Sequence, residues 1–202
     1  MARLLILNGH QPYPVSAGGL NAAMAERIRA FASARGHDVE LVATAQPFDA
    51  DAEVERLLRA DVIVKQFPVN SMGAPWSFKK YLDEVFTVGM DGRLSKGDGR
   101  SRAAPKRNYG SGGRMAPRRY MLSVTLNAPR EAFDAPDEPV FQGASLEDVL
   151  APLHFNARFF ALAPLESFAA FDVTKNPEIE ADFERLDRHL SQHLGPALDG
   201  AI

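Results

Sequence analysis

The 202-residue sequence predicts an α/β fold: a doubly wound parallel sheet of five strands in the order 2-1-3-4-5, with two long insertions. Three observations predict it. Short apolar runs alternate with amphipathic segments along the chain, which argues parallel strands joined by right-handed crossovers. The stretch Asp61 to Phe86 holds a whole strand–loop–helix unit. Val62-Ile63-Val64 reads as a strand buried on both faces, Phe67 to Pro75 as a tight loop, and Trp76 to about Phe86 as an amphipathic helix. Finally, the length suits one domain with a real core, as does the 46% share of hydrophobic residues. Residues 1–202 therefore read as a single domain.

The elements follow in order. Arg3 to Leu7 is strand one, ending in Asn8-Gly9-His10. A loop runs to Gly19, and helix one carries Leu20, Met24, Ile28 and Phe31 on one face. Gly36 ends it in a position suited to a left-handed cap. Asp38 to Val42 alternates as strand two, and Asp51 to Arg59 is a short second helix. Strand three and helix three are the unit described above, with Trp76 read as a core residue. Strand four is Tyr120 to Leu126, and strand five lies near Ser167 to Phe171. The last helix takes Asn176 as N-cap and Pro177 in its first turn. Its stripe is Ile179, Phe183, Leu186, Leu190 and Leu194. Two connections exceed simple turns: Thr87 to Arg119, rich in Gly, Arg and Lys, and Asn127 to Leu162. The second is expected to hold a short helix from Ser145 and another over Pro152 to Leu162. Insertions of this length in a compact domain are usually functional or disordered, and both leave from the ligand edge of the sheet or lead back to it, which favours function.

Composition removes several classes of function. The absence of cysteine excludes disulfides, iron–sulfur clusters, cysteine-ligated zinc and redox thiols, so redox chemistry needs a bound cofactor. The net charge of -3 gives no global field for nucleic acid or an anionic membrane. The apolar run Leu4 to Leu7 is too short for a signal peptide or a membrane span, so the protein is expected to be cytoplasmic, without membrane insertion. The five histidines are expected to form no metal site, and there is no Gly-x-Ser-x-Gly elbow.

In a flavodoxin-like strand order the switch point falls between strands one and three, so the loops after strands one, three and four matter most. The first, Asn8 to Asn21, brings hydroxyl and amide side chains and Gly18-Gly19 to a helix start, where free N–H groups can hold an anion. It also reads as an ordinary cap, with Ser16 or Asn21 capping the helix. The second, Val69-Asn70-Ser71-Met72, offers backbone donors to a planar heteroaromatic edge and apolar cover for its face. It also reads as a plain connection fixed by Pro68 and Pro75. The third is Thr125-Leu126-Asn127-Ala128, which also reads as a strand end and turn. In the insertion, the glycines of Asn108 to Gly113 allow close backbone approach, and Tyr109 can lay its ring or hydroxyl on a ligand. The nearby Lys106, Arg107, Arg114, Arg118 and Arg119 form either a solvated charge run or an attraction for a phosphorylated nicotinamide cofactor. His154 lies among Phe155, Phe159 and Phe160, either as a packing residue or as a proton donor.

Together these segments resemble the modulator of drug activity B family, NAD(P)H:quinone oxidoreductases of the flavodoxin-like quinone reductase superfamily. The resemblance covers nearly the whole chain. It rests on Leu5-Ile6-Leu7-Asn8-Gly9, Gly19-Leu20-Asn21, Arg35-Gly36-His37-Asp38-Val39 and Met72-Gly73-Ala74-Pro75-Trp76. Further on it includes Lys79-Lys80-Tyr81, Val85-Phe86-Thr87, Tyr109-Gly110-Ser111-Gly112-Gly113, Tyr120-Met121-Leu122-Ser123 and Asn127-Ala128-Pro129. It implies bound FAD, with FMN second, NADPH or NADH as donor, a small-molecule quinone or other electron acceptor, and a homodimer. Ser16, Gly18, Gly19, Leu20 and Asn21 would hold the pyrophosphate end. Val69, Asn70, Ser71 and Met72 would line one edge of the flavin ring, and Tyr109, Thr125, Leu126, Asn127 and Ala128 would complete the pocket. Tyr109 or His154 would supply a proton to the reduced acceptor. The chain departs from the family where Asn70-Ser71 replace a bulky aromatic pair and Leu126 replaces an aromatic, leaving a roomier, more polar site. Nitro or azo reduction, a pathway-specific flavin reductase, or a flavin-binding regulatory subunit are the rival functions.

Overall fold

A computed structural model describes residues 1–14 and 16–201. The elements alternate as β1 (Arg3–Asn8), α1 (Gly19–Ser33), β2 (Asp38–Ala43), α2 (Ala50–Arg59), β3 (Val62–Pro68), α3 (Trp76–Val88) and β4 (Arg119–Thr125). They continue with α4 (Leu146–Phe159), β5 (Ala163–Pro164), β6 (Phe168–Ala170) and α5 (Ile179–His189), which passes through a π-helical turn, Leu190–Leu194, into α6 (Gly195–Asp199). The sheet is parallel throughout in the order β2-β1-β3-β4-β5, with β6 also on β4. This is the flavodoxin-like order expected from the sequence. The expected fifth strand is split: β5 pairs Arg119 and Tyr120 at the amino end of β4, and β6 pairs Ser123 to Thr125 at its carboxyl end.

Side chains of a strand alternate between faces, so a sheet covered on both sides needs unbroken apolar runs. On one face Leu5, Leu7, Ile63, Phe67, Leu122 and Val124 pack beneath α2, α3 and α4. On the other Leu4, Ile6, Val62, Val64 and Met121 meet Met24 and Ile28 of α1 and Leu186, Leu190 and Leu194 of the C-terminal helices. Each fully buried aliphatic side chain contributes about 1.5–3 kcal/mol, and that burial anchors the strands whose ends carry the site.

Some helix boundaries differ from expectation. Residues 146–159 form one helix rather than two. Ser145 and Asp148 close a capping box, and Pro152 sits inside the helix at an exposed position. The carbonyl that Pro152 leaves free belongs to Asp148, also exposed, so water can satisfy it. Asn176 does not cap the last helix: its backbone N–H donates to the Asp172 carboxylate at 3.2 Å, and the helix starts after Glu178. Trp76 is exposed rather than in the core.

One residue breaks the pattern. Lys65, in the middle of β3, is fully buried, and its Nζ has no hydrogen-bond partner among the described residues. The ammonium sits 5.6 Å from the ring centroids of both Phe86 and Tyr120, and burial lowers its pKa to about 8.

Candidate active site

β1 feeds α1 on one face of the sheet and its neighbour β3 feeds α3 on the other, so the two connections diverge and leave a crevice at the carboxyl ends of the strands. The crevice measures about 860 Å³. Ser16 to Asn21 form one wall and Pro68 to Ser71 the other; Thr125 and Asn127 close it, with Tyr13, Val173 and Thr174 at its edge.

The α1 wall leaves a helix start open. Gly18 is the N-cap at φ 80°, no side chain caps the helix, and its first turn holds no acidic residue, so no side chain competes for the N–H groups at its start. Ser16 does not cap, because it pairs its backbone with Tyr13 at 2.9 and 3.0 Å. Gly18 is required twice over. Its φ lies in the left-handed region, and a Cβ there would come within 2.1 Å of the His10 ring. A Cβ on Gly19 would meet nothing within 4 Å, so that backbone faces open space. His10 lies buried under this loop with both ring nitrogens unpartnered among the described residues. Burial pushes its pKa below the ordinary histidine value, the Ser16 backbone pulling the other way.

Asn21 turns inward instead of capping. Its Nδ2 donates to Thr125 Oγ1 at 3.1 Å, and its Oδ1 accepts from Gln66 Nε2 at 2.9 Å. Gln66 Oε1 in turn accepts from Ser123 Oγ at 2.6 Å. This buried chain ties the first turn of α1 to the ends of β3 and β4. Sequence reasoning missed Gln66 and Ser123, because a polar residue inside a strand gives no sign of which face it occupies until the register is known.

The β3 wall is a tight turn. Val69 N–H donates to the Thr125 carbonyl at 2.9 Å, and Asn70 and Gly73 exchange backbone bonds at 2.8 and 3.0 Å. Ser71 and Met72 occupy the turn centre with φ of 49° and 65°. Non-glycine residues held there are strained, a feature that clusters at ligand clamps. Val69, Asn70 and Ser71 line the crevice. Met72 does not: the turn projects it into solvent, 59% exposed. Leu126 is also outside the lining, since alternation along the strand turns it into the core. Ala128 packs against the same core cluster. Asn127 Oδ1 accepts from Thr174 Oγ1 at 2.5 Å. Thr174 and Val173 follow β6, and the rule that ligands gather at the carboxyl ends of strands could have found them.

Tyr109 and His154 are not brought to this crevice. Tyr109 stacks edge-on against Phe159 at 5.7 Å and lines a separate groove with Phe86 and Met90. That groove lies at the far half of α3, about 15 Å down the helix axis from the crevice. The glycines around Tyr109 serve close approach to the chain itself: a Cβ on Gly112 would strike the Gly97 carbonyl, and one on Gly113 the Phe160 backbone. His154 Nδ1 meets the Tyr120 hydroxyl at 2.5 Å and its Nε2 meets Glu147 at 2.6 Å. Tyr120 is near the amino end of β4, about 16 Å along the strand from Thr125, so His154 cannot deliver a proton to the crevice. It holds the core-facing hydroxyl of Tyr120 instead, and its hydrogen bond keeps the Glu147 carboxyl below its usual range.

A family model described as flavodoxin-like fold matches residues 2–194. The chain belongs to the flavodoxin-like fold family. It is 34% identical over 192 residues to the NADPH:quinone oxidoreductase MdaB of Haemophilus influenzae, covering 95% of this chain and 99% of that one. This places it in the family that the M-G-A-P-W, Y-G-S-G-G and N-A-P runs resemble. An uncharacterised protein of Schizosaccharomyces pombe is 36% identical over 195 residues, covering 96% and 98% of the two chains. Among solved structures, a putative quinone reductase from Klebsiella pneumoniae superposes with a TM-score of 0.74 at 20% identity, over 95% of this chain and 85% of that one. The general stress protein 14 of Treponema denticola, solved with FMN, superposes with a TM-score of 0.67 at 22% identity over the full length of both.

The residues present fit a flavin nucleotide. The uncapped α1 start and the open Gly19 backbone suit its phosphate end, and the crevice between Asn70-Ser71 and Thr125 suits a flat polar ring. Among the described residues no helix is long and apolar enough to cross a membrane.

Proposed function

We propose that this protein is a cytoplasmic, flavin-dependent NAD(P)H oxidoreductase that reduces quinones or related electrophiles by two electrons. The observation that carries this reading is the switch-point crevice whose helix start is left open to an anion and whose turn is strained, in a chain related to MdaB. When bound, the flavin, FAD or FMN, supplies hydride acceptance from NAD(P)H and hydride delivery to the acceptor, in ping-pong order. The chain supplies position. Gly18 to Asn21 hold the phosphate end. Val69 to Ser71 border one edge of the ring, and Thr125 with Asn127 border the other.

The protein works as a homodimer in this reading. Exposed Met90, Tyr109 and Phe155 surround a groove between α3 and α4 of about 360 Å³, apolar surface that a second copy would cover. Tyr109 then serves assembly rather than flavin contact within its own protomer. Asn70 and Ser71 set the acceptor, leaving room for bulkier or more polar electrophiles than a flat quinone, nitro and azo compounds among them.

Steady-state rates with NADPH and a benzoquinone, each varied at several fixed levels of the other, test this. Parallel double-reciprocal lines are expected. Flavin binding without turnover toward quinones, nitro or azo compounds would turn the reading toward a regulatory subunit.

A further inference from the structure

The polar chain behind the crevice has a direction. Ser123 and Gln66 are wholly buried, and Asn21 and Thr125 nearly so. Among the described residues, Gln66 Oε1 is the hydrogen-bond partner of the Ser123 hydroxyl, at 2.6 Å, so the single Ser123 proton goes to Gln66. Gln66 then presents its amide nitrogen to Asn21 Oδ1, and Asn21 presents its own to Thr125 Oγ1. The opposite order would turn both amides over and leave the Ser123 proton without an acceptor in an enclosed site, which folded chains avoid. Each hydrogen bond along the chain is therefore donated in the direction of the crevice. Thr125 Oγ1 accepts from inside, and its one proton is left to point outward where Thr125 lines the wall.

We infer that Thr125 is a fixed hydrogen-bond donor to the flavin ring, aimed by the positioning residues Asn21, Gln66 and Ser123, and that it favours the reduced, more electron-rich ring over the oxidised one. This rests on the flavin reading above and adds to it the group that sets the cofactor's redox balance. A donor held by a prebuilt relay needs no reorganisation as negative charge develops, and a hydrogen bond to a charged acceptor is stronger than one to a neutral acceptor. The relay also couples the first turn of α1, which would hold the phosphate end, to the edge that would hold the ring.

The test compares wild type, Thr125→Val, Thr125→Ser and Gln66→Met, reading the dissociation constants of oxidised and reduced flavin and the midpoint potential. Thr125→Val keeps the shape and removes the donor. It is expected to hold oxidised flavin within threefold of wild type and reduced flavin about tenfold more weakly, a potential lower by about 30 mV for a two-electron couple. Thr125→Ser restores the ratio to within twofold. Gln66→Met, which frees the Asn21 amide to turn, shifts the ratio in the same direction by a smaller factor. If Thr125→Val leaves the ratio of the two affinities within twofold of wild type, the inference is overturned while the flavin reading stands. If wild type takes up neither FAD nor FMN, the flavin reading itself falls and this inference with it.

Discussion

Replacing Lys65 by methionine is expected to stabilise the protein. Lys65 is fully buried at the centre of β3, without a hydrogen-bond partner for Nζ among the described residues. Its pKa has fallen from the ordinary 10.5 to about 8, so the fold carries a penalty of about 3 kcal/mol for the ammonium at pH 7. The rings of Phe86 and Tyr120, each at 5.6 Å, lie near the outer limit for cation–π attraction and offset about 1–2 kcal/mol together. Burial wins, leaving a net cost of about 1–2 kcal/mol that methionine, unbranched and of similar length, removes. Because the folded pKa lies below the unfolded one, the unfolded chain binds more protons between pH 8 and 10.5. Wild-type stability contributed by this group therefore rises with pH across that window, and the full penalty applies below it. Urea denaturation at pH 7 is expected to show a midpoint higher by about 0.5–1 M for Lys65→Met, with the gap narrowing by pH 10. A variant less stable than wild type at pH 7, or a gap equally wide at pH 10, would refute the reasoning.

Two further substitutions probe the site and its corrections. Gly19→Asp places a carboxylate where a side chain meets nothing within 4 Å. It should raise thermal stability slightly, by about 0.3–1 kcal/mol through the helix dipole, while weakening flavin binding about tenfold or more; an unchanged dissociation constant would remove the α1 start as the phosphate site. His154→Leu removes the acceptor of the buried Tyr120 hydroxyl and should cost about 1–3 kcal/mol in denaturant unfolding, yet leave turnover per folded protein within about twofold. A hundredfold loss of turnover with stability intact would restore His154 as a proton donor.

The strands and their order were legible because burial on both faces forces unbroken apolar runs such as Val62-Ile63-Val64. The order then located the crevice, since loops leaving the carboxyl ends of neighbouring strands to opposite faces must diverge. The open start of α1 could be read from Gly18-Gly19 before a helix, but not the reason for Gly18, which is the buried ring of His10 against it. Tyr109 and His154 lie away from the crevice for one physical reason. A glycine-rich motif or a histidine among phenylalanines carries no information about which end of the sheet an insertion returns to, and both returned to the amino end. Met72 and Leu126 each adjoin residues that line the crevice, but a left-handed turn projects one outward and strand alternation turns the other inward. The split of the last strand into β5 and β6 was hidden because two short pairings at opposite ends of β4 leave no periodic signature.

The most direct measurement is the visible spectrum of the protein, loaded with FAD or FMN as needed, before and after anaerobic addition of NADPH. Flavin absorbance is expected to bleach on NADPH and to return when a benzoquinone is added. Protein that can be loaded with neither flavin, or whose flavin absorbance is untouched by both NADPH and NADH, would contradict the flavin reading.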